Sequence, residues 1–199
     1  MVFLAKESNS FKSGFTALVG RTNVGKSTLL NKLMGRKMAI ISAKPQTTRN
    51  KILCVLTRED SQVIFLDPPG IHKPKHKLGE HLVQVALKTL NEVDVILFLV
   101  EAHQPPGPGD RFVMDRFKGL KTPVILVINK IDLVPREDLL PLIEQYSKLY
   151  NFMEIVPVSA RTGENLPRLL EIITKNLVEG PKYYPDEMIT DRPEVFIMA

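Results

Sequence analysis

Residues 20–27 read GRTNVGKS, with FTALV directly before them and TLLNKL directly after. This stretch matches the pattern G-x-x-x-x-G-K-[S/T], which cradles phosphate groups where a strand passes through a loop into a helix. Phe15–Val19 reads as that strand, and the leucines after Lys26 recur with helical spacing. The flanking sequence therefore supplies the context that the pattern requires.

The residue types of this loop suit phosphate binding. Gly20 and Gly25 let backbone N–H groups point inward, where side chains would crowd a ligand. The helix that follows adds partial positive charge at its N-terminus. We expect Lys26 to reach the β- and γ-phosphates and to act in catalysis, and the Ser27 hydroxyl to ligate Mg²⁺. The expected nucleotide-binding residues of the loop are Asn23, Val24, Gly25, Lys26, Ser27 and Thr28.

The rest of the sequence predicts an α/β fold. Apolar runs alternate with stretches of helical spacing, which is typical of a parallel sheet covered by helices. Val95–Val100 and Val124–Ile128 are apolar without alternation, as expected of strands buried on both faces. The predicted fold is a P-loop NTPase sandwich of three layers. It has a six-stranded, mostly parallel sheet with one antiparallel edge strand, flanked by about five helices.

The predicted elements cover most of the chain. The strands are Phe15–Val19, Lys51–Leu56, Val63–Leu66, Val95–Val100, Val124–Ile128 and Ile155–Val158. One helix follows Lys26, and the others lie near Gly79–Leu90, Asp110–Phe117, Leu139–Leu149 and Leu166–Leu177. Asp138 and Asn165 are expected to cap the last two helices, because Pro141 and Pro167 then fall in first turns, where proline is tolerated.

The fifth predicted strand runs into Asn129-Lys130-Ile131-Asp132, which indicates a guanine base. A carboxylate in the plane of the base accepts hydrogen bonds from N1–H and the exocyclic amine of guanine. Adenine offers neither group there, so Asp132 would disfavour it. Asn129 can hold the imidazole edge of the base, and the stem of Lys130 can cover its face.

Ser159-Ala160-Arg161 follows the last predicted strand. A backbone N–H there, which we assign to Ala160, can donate to guanine O6. Coming in this order after a phosphate loop, the two stretches favour GTP over ATP. An ATP-using P-loop enzyme is the first alternative function. All three residues of the second stretch join Asn129, Lys130 and Asp132 as expected nucleotide-binding residues.

Two further stretches are expected to respond to the γ-phosphate. Asp67 would hold a Mg²⁺-bound water and the Gly70 N–H would reach the γ-phosphate, so that residues 71–78 should move on hydrolysis. In the stretch KPQTTR (44–49), a threonine hydroxyl would complete the Mg²⁺ shell, and we favour Thr48 over Thr47. The expected metal ligands are Ser27, Thr48 and Asp67, and Thr48 and Gly70 join Lys26 as catalytic residues.

Composition narrows the class of protein. The chain has 199 residues, 44% of them hydrophobic, which is enough for one packed domain. Its apolar runs fall short of the roughly 20 residues of a membrane span, and its N-terminus lacks the apolar core of a signal peptide. The single cysteine, Cys54, cannot form an internal disulfide. These features favour the cytoplasm. The net charge of +5 and the cluster HKPKHK (72–77) fit RNA, an acidic membrane surface or a solvated loop.

These stretches together resemble the translation-factor-like GTPases and, within the TrmE–Era–EngA–YihA–Septin-like group, the Era family. The resemblance covers about residues 14–193. It is carried by GRTNVGKSTLLNKL, SAKPQTTRN, FLDPPGIHKPKHKLGE, VINKID, VSARTGENL and, most specifically, YYPDEMITDRP. It implies a GTPase domain followed by a KH domain that binds RNA, and a role with ribosomal RNA in maturation of the small ribosomal subunit.

The resemblance also implies a domain plan. We expect a short extension over 1–13, the GTPase domain over 14–179, and a linker or tail over 180–199 toward a KH domain. A KH domain needs a GxxG loop, and no two of the eleven glycines lie three residues apart. We therefore expect the GTPase domain alone, without the RNA contact that a KH domain would make. Pro68 replaces the threonine usual in the family, and it removes a backbone donor next to Asp67.

The resemblance raises two points about turnover. Ile71 occupies the place where Ras-like enzymes have a glutamine that orients the attacking water, so intrinsic hydrolysis is expected to be slow. Related GTPases with an asparagine at the position of Asn23 can bind K⁺ beside the phosphates, which makes K⁺ a candidate cofactor here beside a plain turn asparagine.

Two other functions stay open. The chain could be a binding module gated by nucleotide, in which hydrolysis is incidental. It could also be a sister GTPase of ribosome assembly or tRNA modification, although such proteins carry a second or an inserted domain. A cytoplasmic location is expected, with peripheral association with the inner membrane as an alternative.

Overall fold

The computed structural model describes residues 11–35, 52–68, 71 and 77–185, which form a sheet with helices on both faces. This arrangement confirms the predicted α/β architecture. The strands are β1 (Lys12–Gly20), β2 (Ile52–Thr57), β3 (Ser61–Asp67), β4 (Val95–Glu101), β5 (Val124–Asn129), β6 (Glu154–Pro157) and β7 (Val178–Glu179). The helices are α1 (Lys26–Leu33), α2 (Lys77–Asn91), α3 (Pro108–Asp115), α4 (Leu139–Ser147) and α5 (Leu166–Lys175). Within those described ranges, none of the helices has the length and hydropathy needed to cross a membrane.

The six long strands lie in the order β2-β3-β1-β4-β5-β6. Strand β2 is antiparallel to β3 at one edge, and every other pair on this path is parallel. The predicted antiparallel edge strand is therefore confirmed. Strand β7 was not predicted. It pairs antiparallel with the start of β1, ahead of the part of β1 that pairs with β4. A strand of two exposed residues has no apolar pattern to reveal it.

Two apolar clusters hold the helices onto the sheet. Helices α2, α3 and α4 pack on one face and α1 and α5 on the other. Strands β4 and β5 are buried along their whole length, as their unbroken apolar sequences predicted. In such a sheet the carboxyl ends of the parallel strands open onto one edge, where ligands bind. That edge carries the loops that follow β1, β4, β5 and β6.

Strands β1 and β3 begin earlier than their apolar patterns indicated. Strand β1 begins at Lys12 rather than Phe15, and β3 at Ser61 rather than Val63. The added residues include Ser13, Ser61 and Gln62, which are polar and buried. Polar residues are rarely buried unless they are hydrogen-bonded, so a hydropathy pattern places such residues outside the strand.

Asp138 and Asn165 lie at the N-cap positions of α4 and α5, as predicted, but neither side chain makes a capping hydrogen bond. Asp138 precedes α4 but makes no capping hydrogen bond, because residues 136–138 form a 3-10 turn that continues into the helix. Asn165 precedes α5 with a left-handed backbone (φ 61°), and its amide Nδ2 donates to the carbonyl of Pro157 at 2.8 Å. Pro167 does lie in the first turn of α5, as expected.

The residues after β7 are attached to the sheet through Gln62. This buried side chain accepts hydrogen bonds from the backbone N–H groups of Tyr183 and Tyr184, at 2.8 and 3.0 Å. Its Nε2 donates to the Tyr184 carbonyl and to Thr57 Oγ1, both at 2.9 Å. Residues 180–185, the start of the expected linker, therefore pack against the domain. The boundary at 180 stays a prediction.

One buried hydroxyl in the core has no hydrogen-bond partner among the described residues. Thr16 of β1 is wholly buried between β3 and β4. Valine has the same shape without the hydroxyl, so Thr16→Val should raise the free energy of unfolding by about 1 kcal/mol, measured by urea titration. Thr122→Val is the matched comparison, because the Thr122 hydroxyl donates to the Leu90 carbonyl at 3.1 Å. That change should destabilise the domain, and a loss of stability in both variants would contradict the prediction.

Candidate nucleotide site

The loop between β1 and α1 has the backbone geometry of an anion site. Asn23 (φ 66°) and Gly25 (φ 99°) are both left-handed, which turns successive N–H groups toward the same side. Helix α1 begins at Lys26 with no side-chain cap at Gly25 and no acidic residue in its first turn. The N–H groups of a first turn have no partner within the helix, and here no side chain competes for them. The predicted phosphate loop is thus present as a structural feature.

Lys26 and Ser27 lie at the start of α1, where the motif requires them. The Lys26 ammonium donates to the carbonyls of Gly20 and Arg21, both at 3.0 Å, and therefore lies over the beginning of the loop. Ser27 and Thr28 are half-buried in the first helical turn. A hydroxyl beside a lysine at a helix N-terminus suits a phosphate-bound Mg²⁺, so these residues fit the predicted metal and nucleotide.

Asn129 joins three of the predicted motifs. It ends β5 and is 1% exposed. Its Nδ2 donates to the Val24 carbonyl of the phosphate loop at 2.8 Å, and its Oδ1 accepts the Ala160 N–H at 2.9 Å. A Cβ atom on Gly25 would collide with the same Nδ2. The glycine is therefore needed for this close approach as well as for its backbone conformation. Sequence reasoning placed Asn129 at the base and missed this linking role.

Asp132 is held as a carboxylate at the end of the same segment. It follows Lys130, whose left-handed backbone (φ 67°) turns the chain into a 3-10 helix at Ile131–Leu133. Ser159 Oγ donates to Oδ1 at 2.6 Å, and the Arg161 guanidinium lies 2.9 Å from Oδ2. The hydrogen bond from Ser159 and, to a smaller extent, the charge of Arg161 keep the pKa of Asp132 below its usual value in spite of burial. The group is therefore ionised at neutral pH.

Lys130 is paired across the edge of the sheet with Glu101. The ammonium of Lys130 binds Oε1 of Glu101, the last residue of β4, whose side chain is largely buried. This pair fixes the end of the lysine, and its aliphatic stem is then available to cover a base. Glu101 was not predicted. Its only sequence signal is its place directly after the predicted apolar strand Val95–Val100.

The Ala160 N–H has a partner within the protein. We expect its N–H to donate to guanine O6, but here that N–H donates to Asn129 Oδ1. Ser159, beside it, uses its hydroxyl for Asp132 and accepts from the Thr162 N–H at 3.1 Å. The Ser159–Arg161 loop thus organises Asp132 and Asn129 through its side chains and backbone. Its direct contact with a base stays a prediction.

The predicted γ-phosphate contacts fall largely outside the described residues. Thr48 and Gly70 lie outside them. Asp67 ends β3 on the expected edge of the sheet, but its side chain is not described. Ile71 is described and is 2% exposed within the core cluster that includes α2, α3 and α4. Ile71 therefore has a packing role, at the position where Ras-like enzymes have a glutamine that orients the attacking water.

The chain is similar to known GTPases over most of its length. The family model described as "50S ribosome-binding GTPase" matches residues 15–130, more than half of the chain. The GTPase Era of Staphylococcus haemolyticus (strain JCSC1435) is 55% identical over 188 residues, which are 94% of this chain and 63% of that protein. The chain therefore spans just under two thirds of the length of this relative.

Solved structures of Era are similar in fold. Era in complex with MgGDPNP and nucleotides 1506–1542 of 16S ribosomal RNA has a TM-score of 0.86 and 47% identity, covering 92% of this chain and 63% of that one. A variant of Aquifex aeolicus Era with one tyrosine replaced by alanine, bound to GDP·AlF4⁻, has a TM-score of 0.83 and 44% identity over the same shares. Both structures hold a guanine nucleotide, and one holds magnesium with it.

Proposed function

Because this chain belongs to the family of 50S ribosome-binding GTPases and is homologous to Era over most of its length, we propose that it is a Mg²⁺-dependent molecular switch. In this proposal it binds GTP and hydrolyses it to GDP and phosphate. The observation that carries the proposal is the position of Asn129, which hydrogen-bonds to both the phosphate loop and the Ser159–Arg161 loop. One rigid side chain thereby aligns the two ends of a nucleotide site.

The residues divide between the two ends of the nucleotide. The first turn of α1 and the Lys26 ammonium would bind the phosphates, and Asp132 would accept the two guanine hydrogens. Ser27 would hold Mg²⁺, with Thr48 and Asp67 as further ligands and the Gly70 N–H on the γ-phosphate. When bound, Mg²⁺ neutralises charge on the β- and γ-phosphates. The chain itself contributes binding, alignment and exclusion of other bases.

Magnesium dependence tests the phosphate end. GTP affinity of the purified chain should be much higher with Mg²⁺ than with EDTA. Ser27→Ala should reduce this difference by about tenfold, because a metal ligand is lost while the loop amides remain. Isothermal titration calorimetry with GTP and with ATP, each in Mg²⁺ and in EDTA, measures it.

Ser147→Ala is the control, because that exposed hydroxyl bonds only to the Glu144 carbonyl of its own helix among the described residues. An equal Mg²⁺ effect in wild type and Ser27→Ala would remove Ser27 from the metal site. A chain that binds ATP as well as GTP would remove the proposed function.

The biological setting is proposed on the same basis. The Era structure with 16S ribosomal RNA supports a role of this chain with the small ribosomal subunit. Cosedimentation with small subunits in the presence of GDPNP or GDP would test it, and binding independent of the nucleotide would contradict a switch.

A K⁺ ion beside Asn23 is also proposed, and equal GTP turnover in KCl and NaCl would exclude it. The cytoplasmic location, with or without peripheral association with the inner membrane, stays a prediction.

A further inference from the structure

Arg21, the second residue of the phosphate loop, directs its side chain away from the loop and toward α3. Its Nε lies 2.8 Å from Oδ1 of Asp110, in an ion pair. Its Nη2 donates to Gln104 Oε1 at 3.2 Å. The loop is therefore joined by a side chain to the segment that follows β4.

Asp110 is an unusual partner because it is 0% exposed. Its Oδ2 accepts the backbone N–H of Gly107 at 2.8 Å, which closes the first turn of α3. The Tyr146 hydroxyl from α4 also reaches this carboxyl. Burial and, to a smaller extent, the charge of Asp110 raise the pKa of Tyr146. The Tyr146 hydroxyl therefore stays neutral and can donate a hydrogen bond. A buried carboxylate is tolerated only with such partners, and Arg21 supplies the nearest positive charge that the structure describes.

The packing around this pair is close. A Cβ atom on Gly109 would lie 2.7 Å from Cδ of Arg21, so the arginine stem lies directly on the first turn of α3. The charge and the shape of α3 therefore both fix where the Arg21 side chain can lie.

The backbone of Arg21 also contacts Lys26 of the phosphate loop. The Arg21 carbonyl is one of the two that accept the Lys26 ammonium at 3.0 Å. Glu101, whose other oxygen binds Lys130, lies 4.0 Å from the Arg21 guanidinium. The ion pair with Asp110 thus constrains the part of the loop on which Lys26 rests.

We propose that Asp110 is a positioning residue that fixes the phosphate-binding loop from α3, through the ion pair of its buried carboxylate with Arg21. The inference rests on the proposed function, because it assigns Asp110 a role in binding the phosphates of a guanine nucleotide. Asp110 itself does not touch the nucleotide. Its effect should be largest at the phosphate end, because the hydrogen bonds that join Asp132 and Asn129 to the Ser159–Arg161 loop do not involve α3.

The test compares GDP with GMP, which differ by one phosphate at the loop. By calorimetry, Asp110→Asn and Arg21→Met should each weaken GDP about tenfold and GMP much less, because a loop displaced by a fraction of an ångström loses phosphate contacts first. A merely structural role would lower the melting temperature and leave the ratio of GDP to GMP affinity of the folded protein unchanged.

The double variant Arg21→Met/Asp110→Asn keeps the test valid if either single variant folds poorly, because it removes both charges and leaves none buried alone. Its GDP affinity should equal that of the weaker single variant, since the two residues act as one unit. Asp115→Asn, an exposed carboxylate on the same helix that pairs with Lys118, is the control. If wild type binds GDP and the ratio is unchanged in all variants, the inference is wrong. If wild type binds no guanine nucleotide, the proposed function is wrong instead.

Discussion

Asp132→Asn is expected to weaken GTP binding by about a hundredfold and to allow XTP to bind. The wild-type carboxylate accepts two hydrogens from guanine, whereas an amide can accept only one and turns its NH₂ group against the exocyclic amine. Leaving such a charged contact unpaired costs about 3 kcal/mol, or roughly a hundredfold in affinity. Xanthine carries an oxygen in place of the amine and can accept from the new NH₂ group. Competition titrations with GTP, XTP and ATP measure this change in base preference.

The fold should survive this substitution. The oxygen of the new amide would still accept the Ser159 hydroxyl, and the Arg161 partner is 72% exposed, so loss of that ion pair costs little. Asp138→Asn removes the same charge from an exposed position six residues away and should leave all three affinities unchanged. GTP affinity equal to wild type in Asp132→Asn, with no gain for XTP, would show that this carboxylate does not recognise the base.

Asn129→Ala is expected to damage both ends of the site at once. It leaves the Val24 carbonyl and the Ala160 N–H without their partner, and both residues are buried. Each unpaired group costs about 1–3 kcal/mol, so the total loss is about 2–6 kcal/mol, shared between folding and nucleotide binding. The melting temperature should fall, and the affinity for GTP and for XTP should fall together. This pattern differs from the exchange of base preference expected for Asp132→Asn.

Asn91→Ala provides the matched control for this change. Asn91 is exposed at the end of α2, and its amide donates to one helical carbonyl, that of Leu87. Its replacement should alter neither stability nor binding measurably. If Asn129→Ala retained wild-type affinity and stability, the side chain would not be what aligns the two loops.

The sequence predicted the parts of the site that lie in continuous motifs. Gly25, Lys26 and Ser27 occupy the expected loop and first helical turn, because their backbone conformation is set by local residues. Strands β4 and β5 were also predictable, since buried parallel strands are apolar throughout. The predicted roles in binding nucleotide stay predictions.

The features that were missed depend on contacts between distant segments. Arg21 and Asp110 are far apart in sequence, and neither residue type suggests burial until α3 is seen to pack beside the loop. Glu101 and Lys130 are paired in the same way across neighbouring strands. Asp138 and Asn165 occupy the predicted N-cap positions, but the sequence did not reveal that the Asn165 side chain bonds to Pro157 across the loop instead of capping its helix.

The attachment of Gln62 to residues 183–184 has a mechanical consequence. Gln62 lies near one end of β3 and Asp67 at the other, so the strand spans roughly 17 Å between them. Strand β3 is hydrogen-bonded on both sides, to β2 and to β1, and stretches little. Tension on the chain beyond Tyr184 would therefore load this strand directly. A displacement of the backbone at Asp67 would be transmitted along β3 to the hydrogen bonds between Gln62 and Tyr183 and Tyr184.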